Sequence, residues 1–241
     1  MTALQPTWAG PMIQSDSRLT RGVRLSVSNS YAPGFHTVSY GNCHGVSILA
    51  LHRFQFDVDQ PSYIVGNPTG AKDGFGDMAF QIKARLASGN AQRGNYAVTA
   101  ILATVLPTAS QGNGALTSLY VPKLAAGKAF GRFNLQTVVN GVLPTGKIAA
   151  QGRVIEWNST AQVHVGEHWF LDLENNAAWN LLGPFDGKTQ SFVTPAAFYR
   201  LRHLTWMTHG SVVMLGGGWQ EATSRFHPYN HNLILETRIL F

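Results

Sequence analysis

Two histidine pairs, His164 with His168 and His227 with His231, have the type and spacing for chemistry. Four residues apart on a helix, two imidazoles would meet and could hold a metal ion. On a strand the same spacing spans about 13 Å, so each pair would need a turn within it. Polar wall or loop histidines are the plainer reading. Cys43 is the one cysteine and stands beside His44. A thiol next to an imidazole could be a nucleophile, but a lone Cys is commonly a small packing residue. One cysteine allows neither an intrachain disulfide nor a cysteine metal cluster. The sequence holds no Gly-x-Ser-x-Gly elbow and no phosphate loop. Ser159 is the notable serine of an outward face, and its neighbours offer no base. No catalytic residue, metal or cofactor is expected, and the chain is not expected to be an enzyme.

The elements that position these residues are read from period-two alternation, which sends successive side chains to opposite faces of a strand. The C-terminal segment 232–241 sets Leu233, Leu235, Thr237, Ile239 and Phe241 against Asn232, Ile234, Glu236, Arg238 and Leu240. A half-apolar strand that stops at a terminal Phe resembles the last strand of bacterial outer-membrane barrels. Leu233, Leu235, Ile239 and Phe241 would then form the signal read by the barrel-assembly machinery. From Ile155 to Val165, apolar Ile155, Trp157, Ala161, Val163 and Val165 oppose Glu156, Asn158, Thr160, Gln162 and His164. No buried helix fits such a run, because a period of 3.6 would scatter the polar groups around the axis. Similar runs predict strands near 20–30, 44–58, 75–86, 95–106, 130–143, 153–165, 168–175, 189–199, 206–219 and 231–241. That gives an all-β, antiparallel, up-and-down transmembrane barrel of about ten strands, or twelve if short ones are merged. Residues 107–128 read as a long connection, in which Tyr120 to Gly127 could be a short strand, a helical turn or a loop. Leu-Pro-Thr closes two strands, at 106–108 and 143–145, where proline can stop ladder pairing. Gly216-Gly217-Gly218, late in a strand, suggests a bulge or close backbone approach.

Charged residues make up 12% of the 241, against roughly 25% in an ordinary soluble domain. No apolar run of about 18 residues is present for a transmembrane helix. Few charges without an apolar helix suit a barrel in which every second residue meets lipid. The net charge of +6 is scattered, which gives no support to nucleic-acid binding.

The same alternation would serve a soluble, exported, lipocalin-like protein with an apolar interior for a hydrophobic ligand. Three features favour the membrane arrangement. The polar face uses Asn, Gln, Thr and His more than Lys and Glu. The runs reach the roughly 9–11 residues that a tilted membrane strand needs. Aromatics lie near strand ends at Tyr96, Phe130, Phe133, Trp169, Tyr199, Trp206, Trp219 and Phe241, as in the girdles of membrane barrels.

In that arrangement Lys83, Arg85, Asn134, Gln136, Asn140, Glu156, Asn158, Gln162, His164, Asp172, Glu174, Glu236 and Arg238 point into the lumen and contact solute. Arg85, Glu156, Glu174 and Arg238 could pair across it. A barrel of ten or twelve strands should have a narrow lumen, since eight are just filled by side chains and sixteen leave a channel. The expected function is a passive channel or binding barrel for small solutes, aromatic or hydrophobic ones among them. Outer-membrane lipid, the assembly machinery and the solute would be its partners. Residues 1–20 are expected to be an N-terminal extension and 21–241 the barrel domain. No continuous apolar core of a signal peptide lies within 1–18.

A resemblance adds to this reading. Gly74-Phe-Gly-Asp77 before a strand with Lys83, the two Leu-Pro-Thr ends, Pro122 to Gly131, Asp186-Gly-Lys-Thr-Gln190 and Arg238-Ile-Leu-Phe241 resemble the meta-pathway phenol-degradation outer-membrane protein family. It implies a transporter-like outer-membrane barrel, and its context of aromatic catabolism implies aromatic solutes.

Overall fold

The computed structural model describes residues 4–41, 44–66, 72–201 and 211–241. Cys43 and Trp206 lie outside the described residues, so the Cys43–His44 pairing and the first part of the strand expected at 206–219 fall there too.

The chain forms a closed antiparallel barrel of twelve strands. Strand β1 is Gly22–Ala32. Strand β2 runs in two pieces, Phe35–Tyr40 and Gly45–Ala50; β3 is Phe54–Asp59 continued by Tyr63–Val65; β4 is Gly74–Phe75 continued by Met78–Gly89. The remaining strands are unbroken: β5 Tyr96–Leu106, β6 Leu119–Phe130, β7 Phe133–Pro144, β8 Arg153–Val165, β9 Trp169–Leu181, β10 Thr189–Arg200, β11 Val212–Ala222 and β12 His231–Leu240. Register joins the broken pieces into single strands. Tyr63–Val65 pairs with Phe35–Tyr40, just as Phe54–Asp59 pairs with Gly45–Ala50. Against β1 the second piece of β2 has slipped: Val27 faces Tyr40, whereas Gly22, five residues earlier, faces Ser47, seven later. Closure comes from β12 lying along β1, from Gly22 opposite Leu240 to Tyr31 opposite His231. This leaves no long edge to attract a foreign strand.

The count is therefore the higher of the two expected. The run at 44–58 holds two strands joined at residues 51–53, Phe35–Tyr40 is an additional piece, and Leu119–Phe130 is a full strand. Pro122 sits within that strand on its outward face, and the inward Ala125 and Gly127 weaken the apolar signal. Both Leu-Pro-Thr segments end upward strands at the same rim.

The faces are those of a membrane barrel. Leu235, Leu173, Leu135, Phe56 and Ile82 lie bare on the outside, while Asn134, Gln162, Glu174, Thr194 and Glu236 are buried within. Leu233, Leu235 and Phe241 are exposed on the outer surface. Ile239 shares their face, one register step from Thr237. Such an apolar belt far exceeds the few hundred Å² that monomeric soluble proteins expose. It is the inverse of a lipocalin-like barrel. Tyr96, Phe130, Phe133, Trp169, Tyr199 and Phe241 all gather at the rim that holds both barrel termini, whereas Trp219 lies towards the opposite rim.

Candidate functional site

Charge pairs across the lumen do not fill this barrel. Residues 4–20 do, entering at the terminal rim, rising to mid-height and returning to start β1. Trp8, Ala9, Pro11, Met12, Gln14, Ser17 and Leu19 are buried among inward side chains. The two arms of this re-entrant segment brace each other. Gln5 donates to the Leu19 carbonyl at 3.0 Å and accepts from its N–H at 2.7 Å. Arg18 forms an ion pair with Asp16 at 2.7 Å.

A segment without regular structure carries backbone groups that must find partners away from water. Here the barrel wall supplies them through side chains. Glu174, fully buried, accepts the N–H groups of Met12 and, at 3.1 Å, Ile13. Arg238 donates to the carbonyls of Gly10 at 2.5 Å and Pro11 at 2.6 Å, and Arg24 donates to that of Met12. Both arginines are paired with Glu236. Gln162 accepts from Ala9 N–H at 3.0 Å, and Gln136 donates to the Ala9 carbonyl at 3.2 Å. On the other arm, Thr99 donates to the Ser17 carbonyl at 2.6 Å and Gln55 accepts from Thr20 N–H at 2.6 Å. Hydrogen bonds to charged groups are the stronger kind, so the latch centres on Glu174, Arg24 and Arg238.

Small inward residues make room for the segment. A Cβ on Gly127 would come within 2.8 Å of both Trp8 Cζ2 and Ser17 Oγ. Opposite, Met12 packs with Phe170, Phe198, Met214 and Ile234 over the glycines of β11. The Gly216–Gly218 run is thus a place of close approach.

The lumen residues expected from sequence fall into three groups. Asn134, Gln136, Gln162, Glu174, Glu236 and Arg238 grip the segment or one another. Asp172 accepts from Gln162 at 2.7 Å. Lys83 pairs with Asp57 at 3.5 Å, beside a cavity of about 350 Å³ between the segment and the wall. Asn140, Glu156 and Asn158 line a second cavity of about 230 Å³ above the segment. Two residues stand apart. Arg85 donates to the His52 carbonyl at the terminal rim, and His164 stacks on Phe170 with centroids 4.3 Å apart. His168 instead meets the Arg200 carbonyl at 2.8 Å, and His231 stacks on Trp219, so His164, His168 and His231 are each engaged with a different partner. Sequence reasoning missed the latch, since its contacts join residues up to 228 apart; only the small inward Gly127, Gly216 and Gly218 hinted at it.

The upper cavity is a polar cup. Asn140 donates to Glu156 at 2.9 Å. Asn176 donates to Asn158 at 3.0 Å, Gln220 to Asn176 at 3.3 Å, and the Tyr229 hydroxyl to Gln220 at 2.6 Å. Tyr229 stacks on Phe192 at 4.9 Å. Burial pushes the Tyr229 phenol up to about 12, against a lowering hydrogen bond with Asn232, so it stays a donor at neutral pH.

By sequence, the chain matches no family model and no curated protein. By fold it is similar to solved outer-membrane channels. The COG4313 outer membrane channel from Pseudomonas putida F1 shares 14% identity, with a TM-score of 0.58 over 96% of this chain and 100% of that one. The NanC porin shares 10% identity, with a TM-score of 0.56 over 90% of this chain and 98% of that one. At such identities the shared property is the fold, that of outer-membrane channel barrels.

Proposed function

We propose that this protein is a passive channel of the bacterial outer membrane for small solutes, closed at rest by its own residues 4–20. The observation that carries this reading is the latch: an apolar-outside, polar-inside barrel holds an irregular segment by its backbone at mid-lumen. The similar folds are those of a porin and an outer-membrane channel, which supports a transport role. The short turns 131–132 and 166–168 at the terminal rim, against longer connections such as 107–118 at the other, would put the terminal rim in the periplasm. Lipid would then meet the outer belt. The assembly machinery would read Leu233, Leu235, Ile239 and Phe241.

The resemblance described above implies aromatic or hydrophobic solutes; the upper cavity, where the Phe192–Tyr229 pair stands beside Glu156, Lys123 and amide side chains, favours instead a ring that carries polar groups. Single-channel recording in planar bilayers tests the function. The whole chain should pass little current, and a chain lacking residues 4–19 should pass markedly more. Equal large currents from both would remove the closing role. No current and no solute uptake from either, in well-folded protein, would remove the channel.

A further inference from the structure

We infer that the cup above the segment is a binding site for a neutral, polyhydroxylated ring of about hexose size. This rests on the channel reading only in making the bound molecule a cargo; the site itself stands on its geometry. Three strands contribute an amide row, Asn158 from β8, Asn176 from β9 and Gln220 from β11. The row has a direction. Each amide oxygen accepts from the next donor, ending at the Tyr229 hydroxyl. Each amide keeps at least one N–H for the cavity it lines, because a primary amide has two such donors, and each oxygen keeps a second lone pair.

Acceptors stand close by. Glu156 uses one oxygen for Asn140. Below, Gln14 lies at the top of the inserted segment, 4% exposed. Its Nε2 is given to Thr160 and its Oε1 has no partner among the described residues. Lys123, held by Ser15 at 3.1 Å, offsets Glu156, so the cup has no net charge. Its wall on one side is the stacked Phe192–Tyr229 pair.

Donors in a row, acceptors at one end and the floor, balanced charge and an aromatic wall fit one chemistry. A sugar ring carries hydroxyls that both donate and accept, and its C–H faces pack on aromatic rings. A hydrocarbon would leave the amide donors unpaired, which desolvation penalises. A carboxylate would meet Glu156 as well as Lys123. The cavity of about 230 Å³ has the volume of about eight waters, enough for one ring and its hydroxyls.

The test is isothermal titration of the full chain in detergent with D-glucose, and with catechol as a hydroxylated aromatic contrast. D-glucose should saturate one site with a dissociation constant of about 1 mM, weak enough for release. Asn176→Ala should weaken it about tenfold, since it breaks the row at its centre. Tyr229→Phe should weaken it less, and Ser159→Ala on the outer face not at all. Heat-modifiable mobility checks that each variant folds. Absence of saturable glucose binding, equal affinity in Asn176→Ala, or a preference for catechol would each overturn the site as proposed. If glucose binds but the chain lacking residues 4–19 carries no current, the cup stands and the channel falls. Current without glucose binding would give the reverse.

Discussion

Met12 lies against Gly218 so closely that a Cβ on that glycine would come within 2.6 Å of the methionine sulfur. One register step away, a Cβ on Gly216 would come within 2.4 Å of the Phe198 ring. The first neighbour is the end of a flexible side chain. The second is a fully buried ring with the Arg238 guanidinium 4.2 Å above it. The two substitutions therefore weigh differently on the inserted segment and the barrel wall. Gly218→Ala should raise open-channel current as Met12 yields, and lower the heat-modified transition of the barrel only a little, because Ala196 Cβ on the wall, at 3.1 Å, must also give slightly. Gly216→Ala should destabilise the barrel by about 1–3 kcal/mol, the usual range for overpacking a filled site, and lower the temperature at which its folded band converts.

Glu174 should be the strongest single fastening of the segment. Its carboxylate serves two backbone N–H groups, and an unpaired buried donor costs about 1–3 kcal/mol. Glu174→Ala should shift the closed-to-open balance at least about tenfold per 1.4 kcal/mol lost, seen as longer open times in planar bilayers. Glu174→Gln keeps one acceptor oxygen and should lie between. Unchanged open times in both variants would show that the arginine contacts alone hold the segment.

Phe241 joins the barrel at two points, with its N–H on the Arg21 carbonyl at 3.1 Å and its ring 5.1 Å from the Arg21 guanidinium. An exposed cation–π contact is worth only about 0.5–1 kcal/mol. Phe241→Ser should therefore refold in detergent with nearly native stability, yet give much less heat-modifiable protein in cell membranes. That contrast would assign the residue to assembly; equal loss in both settings would assign it to stability.

Much of this architecture was legible because a barrel wall is a local code. Ile155 to Val165 shows its outward and inward sets directly, and the structure keeps that alternation across β8. The inward placement of Glu174 and Arg238 followed from the same period. What they hold did not, because a segment such as 4–20 has no period and its partners are single side chains on distant strands. The two-residue slip in β2 was equally hidden, since register belongs to pairs of strands. Leu119–Phe130 was obscured because Gly127 is small where it admits the segment and Ala125 is small where it packs with Ile101 and Val138, and small residues blunt the apolar signal.

Asp77 shows how a sequence motif became a fastening rather than a site. It lies in the break of β4, where the ladder leaves backbone groups open. One carboxylate oxygen accepts from Ala109 N–H at 3.0 Å and the other from Ala115 N–H at 2.6 Å. Beside it, Ser110 bonds Phe75 in both directions, at 2.8 and 2.9 Å. The connection 107–118 is thereby tied to the wall of the far rim, next to the lumen mouth. Hydrogen bonds to a charged group contribute about 1.5–3 kcal/mol each, so Asp77→Ala should free this connection while the barrel keeps its heat-modified transition. Limited proteolysis of folded protein should then cut within 107–118 at least about tenfold faster, with Asp77→Asn intermediate. If cleavage is no faster, the Ser110–Phe75 pair alone is enough to hold the connection.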